Sequence, residues 1–206
     1  MKKSYVYLLT TFMLWGSLYV VSQFVLGKIP TFTVAMFRYL IAFIALSLIS
    51  LKSEKEKIEK SDYKYFFIMG FIGYFISVDC QLLGTKIAGG SMASLINSLN
   101  PVIISVMAMI ILNEKLEMNK IVGIILSLAG VYMIIGTGAN IQFLGVLISF
   151  IAVIGWAFMS VISRKISNKY SALTLTKVSM LIATVCNIPV DISHILGNLI
   201  TVIFDY

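Results

Sequence analysis

Charge is scarce in this chain. Asp, Glu, Lys and Arg make up only 12% of its 206 residues, 9 acidic against 16 basic, and there is a single histidine. Soluble domains carry about a quarter charged residues, so an ordinary water-soluble globule is excluded. Cysteine is limited to two residues. Cys80 and Cys186 lie in apolar runs without metal-ligand spacing, so they are expected to be small buried hydrophobes, not a disulfide framework or a thiolate metal site. One histidine, His194, cannot build a His-based ligand set, and it is expected on the surface of a loop. The chain also lacks a P-loop, a dinucleotide fingerprint and a nucleophile elbow. No enzyme activity and no cofactor are expected.

What the sequence does have is apolar length. It is 59% hydrophobic, with a mean hydropathy of +0.98, and the apolar residues gather in blocks of about 20, enough for a helix to cross a hydrocarbon core. Seven spans are expected, over about 5–26, 30–51, 65–84, 91–112, 119–137, 142–163 and 171–191. The opening "MKKSYVYLLTTFMLWGSLYVV" has too long an apolar core and no small-x-small site, so it reads as a retained first span and not a signal peptide. "KSEKEKIEKSDYK" at 52–64 reads as a solvated loop, and "GTGAN" at 136–140 as a turn. The net charge of +7 could suggest nucleic acid. Its Lys and Arg, however, lie mostly between the blocks, which fits membrane orientation better. With the N-terminus in the cytoplasm, Lys2, Lys3, the lysines of 52–64, Lys115, Lys120, Arg164, Lys165 and Lys169 fall inside and only Lys28 and Lys86 outside. The expected address is the cell membrane, with lipid as partner and no nucleic acid.

An offset of 141 positions aligns Trp15 with Trp156, Val20 with Val161, Ser22 with Ser163, Lys28 with Lys169, Thr33 with Thr174 and Leu40-Ile41-Ala42 with Leu181-Ile182-Ala183. A repeat of five spans must flip its second copy, the inverted-topology arrangement of secondary transporters. The expected organisation is therefore all-α and polytopic. Residues 1–140 make a five-helix repeat, and 141–206 the first two helices and a loop of an inverted second copy. Tyr206 corresponds to Tyr65, so the chain reads as a truncated form.

"SLINSLNPVIISVMAMIILNEKL" at 94–116 places Ser94, Asn97, Ser98, Pro101, Ser105 and Ala108 on one helical stripe, with Gly90, and Leu99, Ile103, Val106 and Ile110 opposite, facing lipid. Pro101 has no N–H, so the carbonyl of Asn97 loses its intrahelical partner. Irregular backbone at membrane depth needs protein or water to satisfy it. Close helix packing and a hydrated cavity at Ser94, Asn97 and Pro101 both remain open readings. Arg38 and Asp79 are the costly residues: a charge at the centre of a span costs about 2.5–3.5 kcal/mol on insertion scales. Counting 1.5 Å per residue puts them roughly 12 and 8 Å below the outer surface, depths that suit a mutual ion pair. Gln81 is two residues from Asp79, so it points elsewhere and is the weaker candidate. Lys177 can snorkel to the inner interface. Trp15 and Trp156 fall near mid-depth, either packing between helices or lining a cavity, and Gly16 permits close helix approach.

Four stretches, "LWGSLYV", "FRYLIA" with Arg38, "NSLNPVIISVMAMIILNEKL" with Pro101 and Glu114, and "GIILSLAGVYMI", follow in an order and spacing that resembles the EamA family of the drug/metabolite transporter superfamily. The resemblance covers the first copy; "GWAFMSVISRK" opens the second. It implies a permease of two five-helix inverted repeats that moves a small organic metabolite or drug by alternating access around a central cavity. Trp15, Arg38, Asp79, Ser94, Asn97, Pro101 and Trp156 are the cavity candidates, and Glu114 packs at a helix end. Charged and amide groups beside aromatic surface suit a zwitterionic or amphipathic solute. A second copy of the chain is the partner that would complete a missing half. The alternative is a non-transporting product or a helix bundle kept for interaction with another membrane protein.

Overall fold

The computed structural model describes residues 2–51, 56–114, 118–135 and 142–204. The turn expected at 136–140 lies outside them. Among the described residues there is no strand. The helices are α1 (Lys2–Leu26), α2 (Thr31–Ser50), α3 (Tyr63–Ile68), a π-helical stretch Met69–Ile76, α4 (Ser77–Ala88), α5 (Gly90–Asn97), α6 (Asn100–Leu112), α7 (Met118–Ile135), α8 (Phe143–Ile166) and α9 (Ala172–Phe204). Among the described residues six helical stretches are long and apolar enough to cross a membrane, and the described part of the span expected over 119–137 is helical as α7. The protein is an all-α, multi-pass helix bundle. A bilayer dictates this: each backbone group must be paired within its own segment where no water is at hand.

The boundaries follow local chemistry. Gly89, at φ 84 and ψ 154, separates α4 from α5 in a conformation closed to side-chain-bearing residues. Asn113 ends α6 at φ 54 and ψ 34, the left-handed position that asparagine tolerates. The fourth expected span is two helices, not one. Ser98 and Leu99 form a tight turn, with Leu99 N–H donating to Ile96 O at 3.0 Å, and Pro101 opens α6. This break turns the upper face relative to the lower, which corrects the expected stripe. Leu99 is buried, while Ser98 and Pro101 are exposed.

Glycine sets the seam between α4 and α8. A Cβ on Gly84 would sit 2.2 Å from Ser149 Oγ, and one on Gly145 would sit 2.7 Å from the backbone nitrogen of Ala88. Ser77 Oγ donates to Ala152 O at 2.6 Å. The pairs 77–152, 84–149 and 88–145 run in antiparallel register, the small-residue packing that holds helices together where lipid offers no hydrophobic drive. In the π stretch, Gly70 and Gly73 admit α9 and α8: their Cβ positions lie 2.6 Å from Ile182 Cβ and 2.3 Å from Met159 Cγ. The Tyr39 hydroxyl donates to Tyr74 O at 2.6 Å, so a side chain from α2 satisfies backbone in the widened helix. Gly16 differs from expectation. A Cβ there meets nothing within 4 Å, so no close approach depends on it.

α2 and α9 pack antiparallel along their lengths: Thr33 Oγ1 donates to Asp191 at one end, and Lys177 Nζ donates to Ser50 Oγ at 3.0 Å at the other. Lys177 is thus anchored in the seam. α9 runs on through Pro189 to Phe204, so His194 belongs to a helix and not to a loop. The missing N–H of Pro189 removes one bond, and the apolar run beyond it is long enough to continue. Cys80 and Cys186 are free and half-buried.

The 56–64 segment is no free solvated loop. Both Glu56 carboxylate oxygens accept from Ser171 N–H, at 3.1 and 3.0 Å. Lys169 Nζ lies 3.1 Å from Asp62 Oδ2. The Tyr170 hydroxyl donates to Asp62 Oδ2 at 2.9 Å and accepts from Glu59 N–H at 3.1 Å, and Phe66 packs edge-on against its ring at 5.2 Å. Alternating Lys and Glu carries no mark of a partner more than a hundred residues away. At the same end, Arg164 grips Glu114 with both nitrogens, at 3.0 and 3.2 Å.

The clasp has a pH signature. Accepting from the Ser171 amide holds the Glu56 carboxyl below its ordinary value of 4.5. A lowered folded-state value means its contribution is complete above that ordinary value and is lost as pH falls through the lowered one. Glu56→Gln is therefore expected to flatten the acid limb of the stability curve by removing a small contribution at neutral pH, with the two forms converging at the acid end. Thermal unfolding of both forms across the acid range checks it, and parallel acid limbs would refute the clasp.

Candidate functional site

Helices α1, α2, the π stretch with α4, the α5–α6 break, α8 and α9 enclose a cavity of about 310 Å³. One wall is a relay of aromatic edges. Trp15 of α1 meets Trp156 of α8 at 5.7 Å and 74°, Trp156 meets Tyr74 at 5.8 Å and 81°, and Tyr74 meets Tyr39 at 6.1 Å and 84°. Edge-to-face contacts of this geometry fix ring orientation and leave flat apolar surface between them. The facing wall is amide-rich. Gln81 Nε2 donates to the Tyr19 hydroxyl at 2.6 Å, and Asn100 Nδ2 donates to Asn97 Oδ1 at 2.5 Å across the helix break. Asn100 Oδ1 is buried without a donor.

A second recess of about 370 Å³ adjoins the first through Trp15, Tyr19, Asn97, Asn100 and Trp156, and extends past Gly16 to Ser94, Ser98 and Pro101. The interrupted fourth span thus lines both spaces.

Of the expected site residues, Trp15, Arg38, Asn97 and Trp156 line the main cavity, and Ser94 and Pro101 line the adjoining recess. Asp79 lines neither. It is 4% exposed, and neither carboxylate oxygen has a hydrogen-bond partner; it lies beside Asn187 of α9. The expected ion pair does not form: among the described residues, Arg38 has no hydrogen bond and no ion pair. Equal depth along two helices leaves their rotation free, and here α4 turns Gln81 to the cavity. Two residues apart on a helix are about 200° apart in direction, so Gln81 and Asp79 cannot both face one space.

Reading the sequence missed Tyr19, Tyr39, Tyr74 and Asn100, and ranked Gln81, which lines the cavity, below Asp79. Tyr19 and Asn100 carried a signal: Tyr19 is four residues past Trp15, and Asn100 three past Asn97, spacings that share a helix face. Tyr39 and Tyr74 sit in runs crowded with aromatics, where nothing local singles them out.

Residues 2–136 match the model of the EamA-like transporter family. The uncharacterized transporter YetK of Bacillus subtilis is 29% identical over 181 residues, covering 84% of this chain and 55% of YetK. An uncharacterized transporter of Clostridium kluyveri is 28% identical over 177 residues, 80% of this chain and 57% of that protein. Another, from Archaeoglobus fulgidus, is 22% identical over 183 residues, 89% of this chain and 65% of that protein. The chain therefore spans between about half and two thirds of the length of these relatives. No solved structure matches it significantly. With well over half of its residues matching the family model, the chain belongs to the EamA-like transporter family.

Proposed function

We propose that the chain forms the solute pathway of a secondary transporter, moving a small organic metabolite or drug by alternating access across the cell membrane. The observation that carries this reading is the placement of the cavity. Its walls come from helices on both sides of residue 140, and Trp15 and Trp156, equivalent under the offset of 141 residues, meet edge to face at 5.7 Å. Contact between equivalent residues is what a pseudo-two-fold axis imposes at its centre. The antiparallel seam of α2 and α9, the second spans of the two copies, follows the same symmetry. This supports a first repeat over 1–140 and an inverted partial copy over 141–206, with the solute site between them.

The orientation we propose puts the N-terminus in the cytoplasm. Lys60, Lys64, Arg164, Lys165 and Lys169 belong to segments joined at one end of the bundle by the 56–62 clasp. An excess of Lys and Arg marks the cytoplasmic side. The clasp joins the two proposed copies there, where a gate would have to part for the cavity to open inward.

Both tryptophans of the chain stand in the cavity wall, so intrinsic fluorescence reports occupancy directly. In purified protein, a transported solute is expected to shift or quench that emission, raise the melting temperature and exchange across proteoliposomes in counterflow. If no member of a broad metabolite panel moves any of the three, the transporter reading falls and an inert helix bundle remains.

A further inference from the structure

We infer that the solute is an organic anion whose carboxylate, or an equivalent oxyanion, docks on Arg38. The inference rests on the transporter reading and deepens it. Arg38 lines the main cavity from α2. A guanidinium offers five N–H donors and keeps its charge at any accessible pH, so it cannot escape its cost by giving up a proton. Among the described residues nothing accepts from it, and its Nη1 is buried without a partner. No carboxylate lines the cavity. Asp79, the acid at comparable depth, is turned away and unpaired. Water could take the hydrogen bonds of Arg38 but not its charge, and a planar oxyanion matches the guanidinium fork in both.

The rest of the cavity narrows the class. Asn100 Oδ1, buried without a donor, calls for a hydroxyl or N–H on the solute. The edges of Trp15, Trp156 and Tyr74 suit a flat, largely apolar body. A volume of about 310 Å³ leaves room for a compact ring compound. A zwitterion, admissible on the sequence, would bring an ammonium for which the lining offers no counter-charge.

The test is a charge series of one shape: 4-hydroxybenzoate, its neutral amide and 4-hydroxybenzylamine, titrated into the purified full chain by tryptophan fluorescence and thermal shift. The wild-type protein is expected to bind the carboxylate at least about tenfold more tightly than the amide, with the amine weakest. Arg38→Gln is expected to erase the difference between carboxylate and amide, and Arg38→Lys to keep part of it. Equal affinity for carboxylate and amide, or preference for the amine, overturns the inference in wild type alone, whether or not the variants fold. So does a carboxylate preference that survives in folded Arg38→Gln. If neutral or cationic solutes bind and exchange while carboxylates do not, the transporter reading stands and the anion assignment falls. If no probe and no panel solute acts at all, both fall.

Discussion

Leucine at Gly145 is expected to destabilise the bundle by about 3 kcal/mol or more and to collapse its folded yield, whereas alanine at Gly16 is expected to leave both intact. Overpacking a tight contact costs typically about 1–3 kcal/mol, and more where backbone has to move. At Gly145 the obstacle is backbone. A first side-chain carbon would lie 2.7 Å from Ala88 N and 2.7 Å from Ala88 Cβ, with Ile87 Cγ2 at 3.0 Å. None of these is the free end of a long side chain that could swing aside. The strain would spread along the antiparallel seam through Gly84 and Ser149 to Ser77 and Ala152. At Gly16 a Cβ meets nothing within 4 Å, and alanine adds helix propensity of about 1 kcal/mol. Monodispersity and thermal unfolding in detergent compare the two, and a well-behaved Gly145→Leu protein would show that α4 and α8 do not touch as described.

Asparagine at Asp79 is expected to do the reverse and stabilise the protein. A buried acceptor with no donor costs about 1–3 kcal/mol, and a charged one more. Asp79 presents two such oxygens at 4% exposure. Tyr39 of α2 and Asn187 of α9 are its polar surroundings. Asparagine cannot ionise and brings N–H donors of its own beside the unpartnered Asn187 Oδ1, so the unfolding midpoint should rise. A destabilised Asp79→Asn protein would mean the carboxylate has a donor in the membrane after all. The same variant tests function. If Asp79 exchanges a proton during transport, the pH dependence of solute exchange will vanish with it, and an unchanged profile would remove Asp79 from any coupling role. A residue that weakens the fold while serving transport is the kind that selection retains.

Much of the architecture was legible because a bilayer leaves a chain few choices. Apolar blocks of about 20 residues must be helices. What was not legible was rotation about helix axes. Asp79 drew attention as the costly group, yet Gln81, two positions on, is the one that reaches the cavity; only the packing of α4 on α8 decides between them. The same holds for Leu99. A straight helix puts it on the lipid side, but the turn at 98–99 brings it inside. Pro101 announced that interruption through its missing N–H, while nothing announced Pro189 as a residue α9 would simply run through. Arg38, Asn97 and the two tryptophans could be found because rare residue types at mid-depth are conspicuous. Tyr39 and Tyr74 are common types in aromatic-rich segments, and only their mutual contact gives them away.

The widened helix at Met69–Ile76 bears on how this chain could change its length. A π stretch amounts to an α-helix that has absorbed an insertion. Deleting one residue there would let the segment relax to ordinary winding with the faces of Tyr63–Ile68 and Ser77–Ala88 still aligned. The same deletion in the regular winding of α8 would rotate everything beyond it by about 100°. Among the described membrane helices, this is where evolution or an engineer can alter residue count without scrambling which side chains look inward.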